Sequence, residues 1–336
     1  MDTQAARRRG GQVSAATTTT TASTTSAISV RDLVKRFDGY TAVGGVSFDV
    51  PSGQVTALLG PNGAGKTTTI EILEGFQAPT SGTVSVLGVS PRKRGRHWRA
   101  RIGLVLQATS LDDQLTVSEA LGLYGRLYAS PRTVGEILDA IDLKQEARTR
   151  IGALSGGQRR RLDLGIAIIG QPEILFLDEP TTGLDPEARR RLWSLIEKLT
   201  ATGTTVLLTT HYLDEAQHLA SRVVVLADGR VIADAPPGEL RAMGGAPVIR
   251  YRLPANAPEL PGALIQRMDL GTRQLTLPST DVAADLAALI TWARDQHVDL
   301  TGLEVGPPSL EDAYLFLTEN AGRPTVGQMT GRSIQP

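Results

Sequence analysis

The sequence predicts an α/β fold with a parallel sheet, interrupted by a helical insert and followed by a small C-terminal α+β domain. Three observations predict it. Short, continuous apolar runs at Val55–Leu59, Ile174–Leu177 and Thr204–Thr210 read as strands buried on both faces, and helical stretches separate them. Alternating strands and helices imply right-handed βαβ units, in which ligands sit at the carboxyl ends of the strands. The first run leads into Gly60-Pro61-Asn62-Gly63-Ala64-Gly65-Lys66-Thr67 and then a helix opening with Thr68, a G-x-x-x-x-G-K-[ST] loop in its strand–loop–helix context. From Leu115 to about Ala153 the strand signals vanish. Val117, Ala120, Leu121 and Tyr124, then Val134, Ile137, Leu138 and Ile141, recur there at helical spacing.

The loop carries the first chemistry. Its glycines let backbone N–H groups turn inward around phosphate oxygens, and the helix N-terminus adds about half a positive charge. Lys66 is expected to reach the β and γ phosphates of a nucleoside triphosphate, and the Thr67 hydroxyl to ligate Mg²⁺. Only five of the thirty-five basic residues are lysines, yet one stands here, where a compact ammonium fits and a guanidinium fork does not.

Composition narrows the partners. The 336 residues suggest two domains, and 41% hydrophobic content is ample for a core. Zero net charge gives no global field toward nucleic acid or an anionic membrane, so no nucleic-acid partner is expected. The absence of cysteine excludes disulfides and thiolate metal sites. No apolar stretch of about 18 residues is present, so a cytoplasmic chain is expected. Residues 1–27, centred on Thr17–Thr21, read as a disordered tail. Order is expected from Ile28, with strands at Ile28–Val30, Ala42–Val50, Thr83–Leu87 and Ile102–Leu106. The basic segment Arg92–Arg101, with Trp98, reads as a solvated helix face rather than a nucleic-acid patch.

Two further strand ends join the loop. Ile174–Leu177 ends in Asp178-Glu179, and Thr204–Thr210 ends in His211. Consecutive side chains leaving a strand point in opposite directions, so the two acids are expected to divide their roles. Asp178 suits the Mg²⁺ shell. Glu179 suits an attacking water, as general base or as its orienter.

At this point the chain resembles the nucleotide-binding domain of an ABC transporter, a P-loop NTPase fold, over about residues 28–243, with its helical insert at about 115–155. The resemblance assigns Gly60–Thr67 to Walker A, Gln107 to the Q-loop and Leu154-Ser155-Gly156-Gly157-Gln158 to the LSGGQ signature. It assigns Ile174–Asp178 to Walker B with catalytic Glu179, Gly183-Leu184-Asp185 to the D-loop and His211 to the switch histidine. An aromatic before Walker A stacks on adenine in that family, and Phe37 fits best, with Tyr40 as the alternative. Phe37 replaces a commoner tyrosine, and Thr182-Gly183 replace a frequent Ser-Ala. The resemblance implies ATP and Mg²⁺, the latter held by Thr67, Asp178 and Gln107. It further implies a head-to-tail homodimer, in which Ser155 and Gly157 of one subunit meet the γ phosphate on the other. A separate integral membrane permease is the implied partner, which would put the chain on the cytoplasmic face of the membrane. Ribosome-binding relatives carry two Walker A loops, and chromosome-organising ones a long coiled coil before LSGGQ. Neither pattern is present.

Residues 244–322 read as a separate accessory domain, and 323–336 as a tail. Val248–Leu253 alternates, Leu275 and Leu277 suggest a second strand, and Val282, Leu286, Leu289, Ile290 and Ala293 mark one helix face. Ser309-Leu310-Glu311-Asp312 is a capping box. The apolar face of the final helix, Leu310, Ala313, Tyr314 and Leu317, is expected to close the domain's own core or to clamp the opposite protomer. On either reading a chain ending near Gly244 stays folded and binds ATP. This ending resembles drug-resistance ATPases of the daunorubicin and doxorubicin exporter type, which favours export over import.

Overall fold

The computed structural model describes residues 25–93, 95–106, 111–254, 257–258, 260, 268–269 and 274–320. The expected tails (residues 1–27 and 323–336) lie largely outside them, as does Gln107.

The central sheet has six strands in the order β5-β6-β7-β3-β8-β9. These are β3 (Val55–Leu59), β5 (Ile102–Val105), β6 (Ile174–Asp178), β7 (Thr205–Thr209), β8 (Arg222–Ala227) and β9 (Arg230–Ala235). The first five are parallel, and β9 closes the edge antiparallel to β8. Alternation of side chains explains the unbroken apolar runs. Leu58, Phe176, Leu207 and Val224 enter one core, while Leu59, Leu177, Leu208 and Val225 enter the other. The β8–β9 hairpin was not among the elements expected. Its Asp228-Gly229 turn has both residues at positive φ, 48° and 71°, the backbone that two-residue hairpins favour.

One face of the sheet packs on α1 (Lys66–Leu73) and on an antiparallel sheet of β1 (Ser26–Phe37), β2 (Tyr40–Pro51) and β4 (Ser81–Val86), ordered β2-β1-β4. Trp98, on the short helix α2 (Arg96–Arg99), is buried here and its indole N–H donates to the Val86 carbonyl at 3.1 Å. That helix is therefore anchored rather than wholly solvated.

The opposite face packs on the helical insert and its followers: α3 (Val117–Gly125), α4 (Val134–Ala140), α5 (Gly156–Ile168), α6 (Pro186–Ala201) and α7 (Leu213–Leu219). Capping boxes start α3 and α4, at Thr116–Glu119 and Thr133–Glu136. Val117, Ala120, Leu121, Ile137, Leu138 and Ile141 are buried, as their spacing requires.

After α8 (Pro237–Met243), a four-stranded antiparallel sheet is ordered β11-β12-β10-β13, from β10 (Val248–Arg252), β11 (Met268–Asp269), β12 (Gln274–Pro278) and β13 (Glu304–Gly306). With α9 (Val282–Asp295) it closes a third core of Ile249, Tyr251, Leu275, Leu277, Leu289, Trp292 and Ala293. Ile290 is exposed, and Trp292 takes the inward place expected of it. The final helix α10 (Leu310–Asn320) has the foreseen box, with Ser309 N donating to Asp312 and Asp312 N to Ser309 Oγ. Its apolar face serves neither expected purpose. Leu310 is buried in the main α/β core, with Tyr314 and Leu317 against it, and Arg241 Nε donates to the Pro308 carbonyl at 3.0 Å. A chain ending near Gly244 would thus uncover part of the main α/β core.

Candidate functional site

The phosphate loop emerges from β3, whose five residues are all buried between β7 and β8. Gly65 caps α1 with φ 94°, and a Cβ there would stand 2.5 Å from the Ala42 carbonyl oxygen. Only glycine combines that dihedral with so close a neighbour strand. Lys66 Nζ donates to the carbonyls of Gly60 at 2.7 Å and Pro61 at 3.1 Å, tying the loop into a ring. Burial pulls its pKa down, while Glu179 and Asp178 oppose the shift.

The loop walls a cavity of ≈ 280 Å³ together with Tyr40, Ala42, Thr67, Thr68, Asp178 and Glu179. Both acids therefore face the same space, contrary to the alternation expected of a strand. The reason is local: β6 ends at Asp178, and Glu179 takes a left-handed φ of 45°. Thr209 of β7 fixes the pair, its hydroxyl donating to Asp178 Oδ1 while its carbonyl accepts from Glu179 N at 3.1 Å. Glu179 Oε1 lies 3.3 Å from His211 Nδ1, and Thr182 Oγ1 donates to Glu179 Oε2 at 3.2 Å. Walker A, Asp178, Glu179 and His211 are thus brought together. Thr209 and Thr182 escaped the sequence reading. Thr209 is one of four threonines in the run Thr204–Thr210, and the sequence does not say which hydroxyl meets the strand end beside it.

The donor set fits nucleotide and metal. A glycine ring with one ammonium suits phosphates. The Thr67 hydroxyl and Asp178 carboxylate are hard oxygen donors on one cavity wall, as Mg²⁺ prefers. No cluster of three or more His, Cys, Asp or Glu able to hold a metal exists among the described residues, so Thr67 and Asp178 offer a partial shell. Mg²⁺ ordinarily completes such a shell from waters and substrate phosphates.

Of the two aromatics, Tyr40 lines the cavity, its hydroxyl 3.4 Å from the Gly63 carbonyl. Phe37 pairs with it across the β1–β2 hairpin and carries the Lys35 ammonium 4.8 Å from its ring centroid.

The signature sits elsewhere. Ser155 caps α5 in a capping box, accepting from Gln158 N at 3.2 Å while its own N–H donates to Gln158 Oε1 at 2.9 Å. Gly157 abuts α6, where a Cβ would come within 3.0 Å of Ala188 Cβ, whereas Gly156 faces open space. None of residues 154–158 lines the Lys66 cavity. Asp185 caps α6 through Glu187 N and Ala188 N, and these N–H groups, Ala188 foremost, hold its carboxyl below the usual range.

Comparison with known proteins gives a consistent picture. Residues 43–182 match the family model "ABC transporter", and residues 247–309 match "ABC transporter domain-containing protein-like, C-terminal domain". The chain is 40% identical to the daunorubicin/doxorubicin resistance ATP-binding protein DrrA of Streptomyces peucetius, over 92% of this chain and 96% of that protein. It is 44% identical to the Nod factor export ATP-binding protein I of Burkholderia lata, over 63% of this chain and 72% of that protein. Among solved structures, an ATP-binding subunit of an ABC transporter superimposes with TM-score 0.59 at 28% identity, covering 64% of this chain and 92% of that one. The cassette MJ0796, dimeric and bound to ADP and Pi, does so with TM-score 0.56 at 25% identity, covering 62% and 98%.

Proposed function

Because the chain belongs to the ABC transporter ATP-binding family, we propose that it is the ATP-hydrolysing subunit of an exporter, working in pairs beneath a separate membrane permease. The observation that carries this reading is the meeting of Lys66, Asp178 and Glu179 around one cavity, with His211 against Glu179 and the signature outside it.

Each residue then has a task. The loop N–H groups and Lys66 hold the β and γ phosphates. Thr67 and Asp178, with Gln107, would hold Mg²⁺, which would supply positive charge against the reacting phosphates. Glu179 orients the attacking water or takes its proton, and His211 holds the Glu179 carboxylate toward the γ phosphate. Tyr40 is tied at the phosphate end, so the base extends outward to Phe37. Ser155, Gly156, Gly157 and Gln158 present the open N-terminus of α5 to the nucleotide on a second copy, and Asp185 lies beside that junction. Each protomer thus supplies half of each of two sites.

Similarity to DrrA along nearly the whole chain supports a drug or another hydrophobic compound as cargo, and the Nod factor relatives supply the competing substrate class. No described helix is long and apolar enough to cross a membrane, and the arrangement proposed is a separate permease at whose cytoplasmic face this chain docks. The paired site predicts a specific ATPase rate that rises with protein concentration and then saturates. A rate per molecule that stays constant on dilution to nanomolar concentration would remove the pairing. Everted vesicles holding both subunits should accumulate a hydrophobic drug only with ATP, and failure to do so with drugs and glycolipids alike would remove export.

A further inference from the structure

Three consecutive arginines follow the signature, and the fold sends them to three different places. Arg159 Nη2 reaches Asp113 at 2.8 Å on the surface. Arg161 Nη1 donates to the carbonyls of Ile141 and Asp142 within the helical insert, at 2.9 and 2.6 Å. Arg160 alone crosses to the nucleotide site. Its Nε donates to the Pro180 carbonyl at 2.9 Å and its Nη1 to the Leu106 carbonyl at 2.6 Å. Its Nη2 donates to the carbonyls of Asp178 at 2.7 Å and Glu179 at 3.1 Å. One planar fork therefore spans three successive peptide groups at the end of β6 and the residue immediately before Gln107, a pattern that a lysine could not reproduce.

The need for such a clamp follows from the backbone. The chain leaves the sheet ladder after Asp178, and Glu179 sits in a left-handed conformation that costs on the order of 1 kcal/mol or more. Peptide groups in that state hold their direction only if their surroundings over-determine it. Thr209 fixes the segment from the β7 side, through the Asp178 carboxylate and the Glu179 N–H. Arg160 fixes the opposite side through the carbonyls. Burial pulls its pKa down, and Asp163, Asp178, Glu215 and Glu179 oppose that shift.

We propose that Arg160 is a positioning residue for ATP hydrolysis, the tie through which the signature helix sets the backbone of the chain's own Glu179 and the entry to Gln107. The proposal rests on the reading of Glu179 given above. Arg160 lies five residues beyond Ser155 on one rigid helix, about 7.5 Å along its axis. A shift of the Ser155 end is therefore delivered to Asp178–Pro180 without passing through side-chain packing.

The test uses full-length Arg160→Met and Arg160→Lys beside Glu179→Gln, with ATP affinity and stoichiometry measured by calorimetry and kcat and KM by phosphate release. Arg160→Met is expected to lower kcat about 10- to 100-fold while the ATP Kd and stoichiometry stay within about twofold. Arg160→Lys, which keeps charge but not the fork, is expected to stay slow as well. Millimolar guanidinium should restore part of the kcat of Arg160→Ala, and methylammonium should not. A kcat within twofold of the parent in either the Met or the Lys variant, at full stoichiometry, overturns the proposal. Loss of ATP binding in both marks a purely structural residue and overturns it too. Parental hydrolysis by Glu179→Gln would instead defeat the reading of Glu179, whatever the Arg160 variants do.

Discussion

The phosphate loop and the signature turn are both glycine-bearing helix N-termini, yet the fold treats them oppositely. The first is walled by β2 and β6 and drawn into a ring by Lys66. The second satisfies itself, with Ser155 and Gln158 exchanging their N–H bonds while Gly156 stands open to solvent. A helix terminus with charged and oxygen-donor neighbours is a built half-pocket. One with only its own cap is, on the function proposed, a contact surface for the nucleotide on a second copy.

The contrast can be broken from either side. The largest effect is expected at the built pocket: Glu179→Gln should cut kcat about 10²- to 10⁴-fold while still binding ATP, checked by phosphate release against calorimetry. Lys66→Ala should come next, losing about 100-fold in ATP affinity with turnover falling alongside, since the main charge on the phosphates is gone. Unchanged binding would remove Lys66 from the site. At the signature, Ser155→Asn keeps a good N-cap and so should leave the melting temperature within a few degrees. Its kcat is expected to fall about tenfold with single-protomer ATP binding intact, because the group that meets the partner's nucleotide has changed. If that variant bound ATP more weakly as a monomer, the two termini would not be separate.

The smallest effect is one of pH. Glu74, buried at the end of the phosphate-loop helix, has its pKa pushed up to about 8, chiefly by burial and then by Asp178 and Glu71. The unfolded chain releases this proton near the ordinary value of 4.5, whereas the folded chain keeps it to about 8. The native state binds more protons in that window, so stability should fall as pH rises through it. Glu74→Gln should flatten that fall in a melting-temperature series. An unaltered slope would place the dependence elsewhere.

Periodicity and motif carried much of the architecture. Apolar runs marked β3, β6 and β7 because strands covered on both faces need no polar alternation, and the insert helices were legible from spacing and caps. Walker A, Asp178, Glu179 and His211 were legible because three strand ends must converge at one edge of a parallel sheet. Other features were not. Arg160 looked like its two neighbours, since a helical sequence does not say which of three adjacent arginines meets a carbonyl across the fold. Strand alternation misdirected Glu179, because a single left-handed residue resets the facing of everything after it. The packing of Leu310 was hidden for a related reason: an amphipathic helix declares that it has an apolar face, never which surface receives it.

The seat of Leu310 also bears on how the protein is made. Chains emerge from the ribosome N-terminus first, and domains consolidate as their residues appear. Nearly every residue of the main core precedes Leu240, but Leu310, Tyr314 and Leu317 are synthesised about seventy residues later. The nucleotide-binding half must therefore wait, with part of its apolar surface uncovered, while the intervening small sheet is translated. A message cut short before codon 310 yields a cassette that carries every catalytic motif and an exposed hydrophobic seat, which is the feature that chaperones and proteases recognise. A finished main core therefore belongs only to a chain translated through this helix.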